Sequence, residues 1–97
     1  RKINMELDSL YEIICERRDN PTTGSYTARL MSDGEDEILK KVGEGAMEVI
    51  LAGKGQTDQR LVEEISDLVY HVMVLMAYRR ITPEDIRAEL HRRRQIK

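Results

Sequence analysis

The chain has no tryptophan and no phenylalanine, and its only aromatic residues are four tyrosines. It has two prolines, six glycines and one cysteine. With so few aromatics, a core must be assembled from Leu, Ile, Val, Met and Ala, which suits packed helices. Long strand-like alternation is also missing. A single cysteine cannot close an internal disulfide. Cys15 falls in an amphipathic stretch and reads as a small core residue, as expected in a reducing cytoplasm. No apolar run approaches the roughly 20 residues of a membrane-spanning helix, and no secretory signal is visible. A cytoplasmic location without a membrane partner is therefore expected. Nor is there an excess of either charge: the formal net charge is −2. That excludes a globally basic nucleic-acid binder. The one basic run, Arg92-Arg93-Arg94 with Lys97, reads as a solvated helix end where cations favour the dipole, and no nucleic-acid partner is expected.

What is present is 40% apolar and 35% charged residues over 97 positions. The charged fraction is high, but the apolar fraction supports a core, so one small domain spanning 1–97 is expected. The chain opens at Arg1 rather than at methionine. This leads to the expectation that a natural start, or a fused upstream domain, lies further upstream.

The pattern predicts an all-α fold, a bundle of four to five helices. The first runs from about Met5 to Arg18, with Asn4 as N-cap and an apolar stripe of Leu7, Leu10, Tyr11, Ile14 and Cys15. Asp19 to Gly24 is a turn-forming loop. Ser25 to Met31 forms a short helical turn, broken by Ser32-Asp33-Gly34. A long helix from Glu35 to Gly53 starts with an acidic turn. Its core face comprises Ile38, Leu39, Val42, Ala46, Val49 and Ile50. The next helix runs from about Asp58 to Arg80. Its stretch Leu68–Tyr78, LVYHVMVLMAY, is apolar on every side, which means burial on every side. A 97-residue monomer has difficulty wrapping a helix so fully, so completion by a homodimer is predicted. Thr82 as N-cap and Pro83 at the first helical position open a last helix, to about Arg94.

Within KKVGEGAMEV (Lys40–Val49), Glu44 and Glu48 stand four apart. On a helix such like charges repel by a few tenths of a kcal/mol. Beside them Gly45 costs roughly 1 kcal/mol relative to alanine. At about 100° per residue, Glu37, Lys41, Glu44 and Glu48 share one stripe of their helix. Glu64, Asp67 and His71 share a stripe on the following helix, and Glu63 points elsewhere. The short connection makes the two helices antiparallel neighbours, which lets the stripes converge. A solvated acidic face accounts for such stripes, and so does a cation site. Three or four carboxylates without paired histidines or cysteines suit Mg²⁺ or Mn²⁺ rather than zinc. The chemistry that follows is hydrolysis of a phosphate ester or phosphoanhydride. Asp67 presses the second reading hardest. It adjoins the apolar run, where a charge must be paired or bind a cation.

Glu44-x-x-x-Glu48, fifteen residues, then Glu64-x-x-Asp67 resembles the pattern of the MazG-like all-α nucleotide pyrophosphohydrolases. GSYTARL (Gly24–Leu30), DGEDEILKKVGE (Asp33–Glu44), EEISDLVYHVMVL (Glu63–Leu75) and ITPEDIRAELHRR (Ile81–Arg93) occur in order. Together they resemble, more narrowly, the phosphoribosyl-ATP pyrophosphohydrolases of histidine biosynthesis. The resemblance implies a helical dimer and Mg²⁺-dependent cleavage of phosphoribosyl-ATP to phosphoribosyl-AMP and pyrophosphate. It implies metal binding by Glu44, Glu48, Glu64 and Asp67, with Glu44 or Glu48 also positioning or deprotonating the attacking water. It suggests phosphate contacts from Lys40 and Lys41, the latter favoured because it shares the acidic stripe. Both lysines are equally ordinary surface partners of Glu37 or Glu44. Ser25, Tyr26 and Thr27 are candidate hydroxyl donors to phosphate or ribose, or else caps of their short helix. His71 reads as an interior, hydrogen-bonded histidine, with a supporting role orienting Asp67 as the alternative. One departure stands out: the family usually carries a second glutamate, expected among the metal ligands, where this chain has Gly45.

Two other readings compete. One is a house-cleaning hydrolase of ordinary or damaged nucleoside triphosphates. The other is a non-catalytic helical dimerisation module, for which Gly45 leaves room.

Overall fold

The computed structural model describes residues 2–96, with side-chain environments for residues 6–95. Five helices follow one another: α1 (Lys2–Asp19), α2 (Tyr26–Asp33), α3 (Glu35–Gly55), α4 (Asp58–Arg79) and α5 (Pro83–Ile96). No strand occurs among the described residues. α3 and α4 form an antiparallel hairpin with the most extensive contact in the molecule, and α1 and α2 pack across it.

The helix ends follow local chemistry. Gly34 closes α2 and opens α3 in one residue, at φ 101°. Its N–H donates to Leu30 O and its carbonyl accepts from Ile38 N; a residue without Cβ makes such a reversal cheaply. The break thus falls on Gly34 alone, and Ser32 and Asp33 remain helical. Thr57 caps α4 by accepting from Arg60 N. Thr82 Oγ1 accepts from Asp85 N while Asp85 Oδ2 accepts from Thr82 N, a reciprocal cap at the start of α5. α4 ends at Arg80 in the left-handed region, φ 64°. There Ile81 N returns to Met76 O, and Arg18 Nη1 donates to Ala77 O at 2.7 Å. Both satisfy carbonyls that the helix end leaves open. α1 begins no later than Lys2, so Asn4 lies within the helix rather than capping it.

The core is a small aliphatic cluster. Ile14 (α1), Leu30 (α2), Ile38 (α3) and Val74 (α4) are fully buried, with Met73, Met76 and Ala77 around them. Tyr11, Cys15, Val69 and Leu75 pack on its margin. Two expectations need correction within the single chain. Of the anticipated α3 core face, Leu39, Ala46 and Ile50 are exposed, and the buried positions are Ile38 and Ala52. Burial of α4 is also one-sided: Val72 and Tyr78 are about one-third exposed. Leu39, Met47 and Ile50 on α3, and Val62, Ile65 and Val72 on α4, therefore form open apolar faces. α5 packs sparingly on the rest, tethered by Arg87 to Asp8 at 3.1 Å, and the connection that leads into it is held by Tyr11 Oη donating to Ile81 O at 2.6 Å. A radius of gyration of 14.7 Å, against about 13 Å for a closed domain of this length, fits a chain with unsatisfied faces.

Candidate functional site

The two acidic stripes meet. Lys41, Glu44 and Glu48 on α3 face Glu64, Asp67 and His71 on α4 across a cleft of about 170 Å³, with Tyr26 of α2 as its end wall. Glu37, the remaining member of the α3 stripe, does not line it. The cause is local: an antiparallel hairpin whose core seam is Ile38 and Ala52 turns the adjacent stripe of α3 toward the matching stripe of α4.

Two of the four cleft carboxylates, Glu64 and Glu44, are paired with neighbouring cations. The Glu64 side chain is only 12% exposed, against 52% for Glu44. A carboxylate so enclosed needs a partner, and the guanidinium of Arg60, one turn earlier, supplies it. Arg60 also holds Glu63, and these bonds, Glu63 first, raise the arginine above its ordinary value. Lys41 Nζ lies 3.6 Å from Glu44. Among the described residues no three acidic, imidazole or thiol groups are drawn together into a ready metal cage. The donor set is nonetheless that of a hard cation: four carboxylates around one cleft, no thiolate, and an imidazole whose two nitrogens are both engaged.

His71 Nδ1 is 3.0 Å from the carbonyl of Asp67, and Nε2 is 3.0 Å from Tyr26 Oη. A carbonyl only accepts, so the neutral ring carries its hydrogen on Nδ1 and takes the Tyr26 hydroxyl hydrogen at Nε2. His71 thus holds the backbone of Asp67 rather than its carboxylate, and fixes the direction of the Tyr26 phenol. The ring of Tyr26 stacks on Tyr70 at 6.2 Å and carries the guanidinium of Arg29 5.2 Å from its centroid.

The three hydroxyl residues of α2 separate. Ser25 Oγ accepts from Ala28 N and is the N-cap. Thr27 is buried and bonds the hydroxyl of Tyr70. Burial pushes the Tyr70 phenol above its usual 10.0, while the Thr27 bond pulls it back. Tyr26 alone reaches the cleft. Lys40 is exposed and lies outside it. Gly45 lies in the cleft wall against Leu68, so α3 and α4 approach closely where a longer side chain would stand.

Two participants escaped the sequence reading. Arg60 was signalled by its spacing of four from Glu64, a favourable pair on a helix. Arg29 had no such signal, since its place beside the Tyr26 ring depends on how α2 is rotated.

The sequence model of the phosphoribosyl-ATP pyrophosphohydrolases matches residues 7–94. A phosphoribosyl-ATP pyrophosphatase of Clostridium botulinum (strain Hall) is 50% identical over 92 residues, 95% of this chain and 84% of that protein. One from Pelotomaculum thermopropionicum is 53% identical over 88 residues, covering 91% and 90%. A third, from Saccharolobus solfataricus, is 45% identical over 92 residues, covering 95% and 98%. With a match across nearly its whole length and an acidic cleft between its two longest helices, the chain belongs to the phosphoribosyl-ATP pyrophosphohydrolase family.

Proposed function

We propose that this chain hydrolyses phosphoribosyl-ATP to phosphoribosyl-AMP and pyrophosphate in histidine biosynthesis, using Mg²⁺ (or Mn²⁺) held by Glu44, Glu48, Glu64 and Asp67. The observation that carries this reading is the convergence of those four carboxylates, from two helices, on one cleft in a chain of this family. Bound there, the ion would neutralise polyphosphate oxygens and stabilise the charge that develops at phosphorus. Glu64 becomes available when Arg60 swings away, which its exposed position one turn upstream permits. Lys41 stands at the cleft to pair with a phosphate oxygen in place of Glu44. Glu44 and Glu48 are the bases that can orient an attacking water and take its proton. Tyr26, whose hydroxyl hydrogen goes to His71 Nε2, turns an oxygen lone pair of fixed direction to the cleft, able to accept from a ribose hydroxyl or a water but not to donate to phosphate.

The same reading includes a homodimer. The open apolar faces of α3 and α4 support it, because a monomer would leave Met47, Ile50, Leu51 and Val62 each more than half exposed.

The direct test is incubation with phosphoribosyl-ATP and Mg²⁺ while pyrophosphate is followed. Release well above a buffer blank is expected, and faster than from ATP, GTP or damaged triphosphates. Equal rates on ordinary triphosphates would instead favour a house-cleaning hydrolase. Gly45 favours one further reading, a non-catalytic helical module. A stable dimer that releases no pyrophosphate and takes up no Mn²⁺ in calorimetry would establish that reading and remove the first.

A further inference from the structure

The acidic cleft is too small for the whole proposed substrate. Its volume of about 170 Å³ falls below the roughly 300–1,000 Å³ of pockets that enclose a ligand. It suits an ion and part of a polyphosphate, so the rest of a nucleotide must lie beyond its walls. Tyr26 is one of those walls, and it also lines a second, larger hollow of about 640 Å³. That hollow has a different chemistry. Hydroxyls of Thr22, Thr23 and Ser32 line it, with the guanidinium of Arg29, and no carboxylate does. Seven other arginines each hold a carboxylate. Among the described residues Arg29 forms no ion pair, and it rests against the face of Tyr26 instead.

A molecule reaching from the cleft past Tyr26 would therefore meet one unspent cation amid hydroxyl groups. Resting on the activity proposed above, we infer that Arg29 and its hollow bind the ribose-phosphate end of the substrate. The phosphate monoester would sit on the guanidinium, in the paired geometry that arginine offers such groups. Phosphoribosyl-ATP has this second anionic end and ATP does not. Arg29 is thus a specificity residue: it discriminates between the two without touching the bond that is cut.

Binding can be measured apart from hydrolysis by calorimetric titration of the full chain with phosphoribosyl-AMP and with AMP, which differ only by the phosphoribosyl group. The wild type should prefer phosphoribosyl-AMP by about tenfold or more, the worth of one charge-assisted hydrogen bond. Arg29→Gln should erase that preference and leave AMP affinity unchanged. Ser32→Glu, which puts a carboxylate into the hollow from an exposed position, should erase it independently should Arg29→Gln fold poorly. A wild type without preference, or a folded Arg29→Gln or Ser32→Glu chain that keeps it, overturns the inference. Pyrophosphate release separates the two levels. If the wild type hydrolyses phosphoribosyl-ATP and Arg29→Gln does so with unchanged KM, the activity stands and the role of Arg29 falls. If the wild type neither hydrolyses phosphoribosyl-ATP nor prefers phosphoribosyl-AMP, both fall.

Discussion

Gly45 of α3 packs against Leu68 of α4 so closely that a Cβ built on the glycine would lie 3.3 Å from Leu68 Cδ1 and 3.6 Å from its Cα. The tighter contact is with the tip of a flexible side chain, which can yield by a few tenths of an ångström. Replacing glycine inside a helix by alanine gains about 1 kcal/mol. Gly45→Ala should therefore stabilise the fold by up to about 1 kcal/mol, a rise in Tm of roughly 4–8 °C for a chain of this size. Gly45→Glu restores the carboxylate that the family pattern implies. Without divalent cations its gain should be smaller than alanine's, because it adds a like charge beside Glu44 and Glu48. With millimolar Mn²⁺ its Tm should rise more than the parent's. Melting curves of the three chains with and without Mn²⁺ check this; a Gly45→Glu chain indifferent to the ion would count against a metal site at this wall.

Glu48 and Asp67 are both exposed and reach the cleft from opposite helices. Neither contributes to the aliphatic core, so Glu48→Gln and Asp67→Asn should change stability by less than about 0.5 kcal/mol. Each should lower the rate of pyrophosphate release by at least about 100-fold. Loss of a mere supporting partner of a metal ligand already costs roughly 10- to 100-fold. Glu37→Gln is the internal control: it shares the α3 stripe but lies off the cleft, and its rate should stay within about twofold of the parent. Steady-state assays with parallel urea titrations separate the two effects.

The contrast between Glu37 and Glu48 also shows how far periodicity reaches. Rotation by about 100° per residue brought Lys41, Glu44 and Glu48 of α3 and Glu64, Asp67 and His71 of α4 into groups that share the cleft, but it also placed Glu37 in the α3 stripe, one end of which runs past the cleft. The short connection at Gly53–Thr57 implied that the groups would face each other. Capping chemistry located the start of α5 at Thr82 and Pro83. Where the reading stopped, the physics is non-local. Ser25, Tyr26 and Thr27 are consecutive at the start of a helix of eight residues, too short for a period to define a face. Burial of Thr27, Ala28 and Leu30 decides that only Tyr26 turns to the cleft. Likewise Leu39 and Ile50 look like core residues, because an apolar stripe does not say whether its own chain covers it. Asn4 met the requirements of a cap, but a helix beginning by Lys2 left it no cap to make.

Thr27 and Tyr70 join α2 to α4 by a hydroxyl–hydroxyl bond in a partly buried setting. Removing one partner strands the other, which costs about 1–3 kcal/mol, whereas removing both together is nearly neutral. Thr27→Val should therefore destabilise by about 1–3 kcal/mol, and Thr27→Val combined with Tyr70→Phe by less than Thr27→Val alone. Because Tyr70 also stacks on Tyr26, a loosened α2 should raise KM in the single variant and recover it in the double. A double-mutant cycle by urea unfolding, with KM measured on the same samples, checks both.

Acid should loosen α5 before the core. Glu89 accepts from Arg92 and from Arg93, and these bonds, Arg92 first, hold its carboxyl down from the usual 4.5 to about 2. A carboxyl depressed in the folded state lends stability that is fully present above its unfolded value. That stability fades as pH falls through the folded one, so the window runs from about 4.5 to about 2. The Glu89 side chain is about half open to solvent and to its screening, so the effect should appear as fraying of α5 rather than global unfolding. Amide hydrogen exchange in α5, corrected for intrinsic rates, should lose protection across that window. Glu89→Gln should show reduced protection around residues 89–93 already at neutral pH, and a smaller further loss there on acidification than the parent, while the start of α5, held by Asp85 and by Asp8, responds alike in both chains.

The last test concerns the faces that a single chain leaves open. Met47 is 55% and Ile50 57% exposed on α3, and Val62 is 56% exposed on α4. Fully burying a side chain of this kind is worth about 1.5–3 kcal/mol, so a second copy covering them would gain enough to matter to association. A charge in their place would have to be desolvated for the same contact, at a cost that such an interface cannot recover. The parent should therefore sediment as the proposed dimer and Ile50→Glu as a monomer in sedimentation velocity, while Lys54→Glu, at the exposed end of the same helix, should sediment as the parent does. If the helical hairpin depends on that cover, the monomeric variant should also melt lower, and its Tm should lose the concentration dependence that a dimer shows. An Ile50→Glu chain with the parent's sedimentation coefficient would mean that these faces do not form the contact.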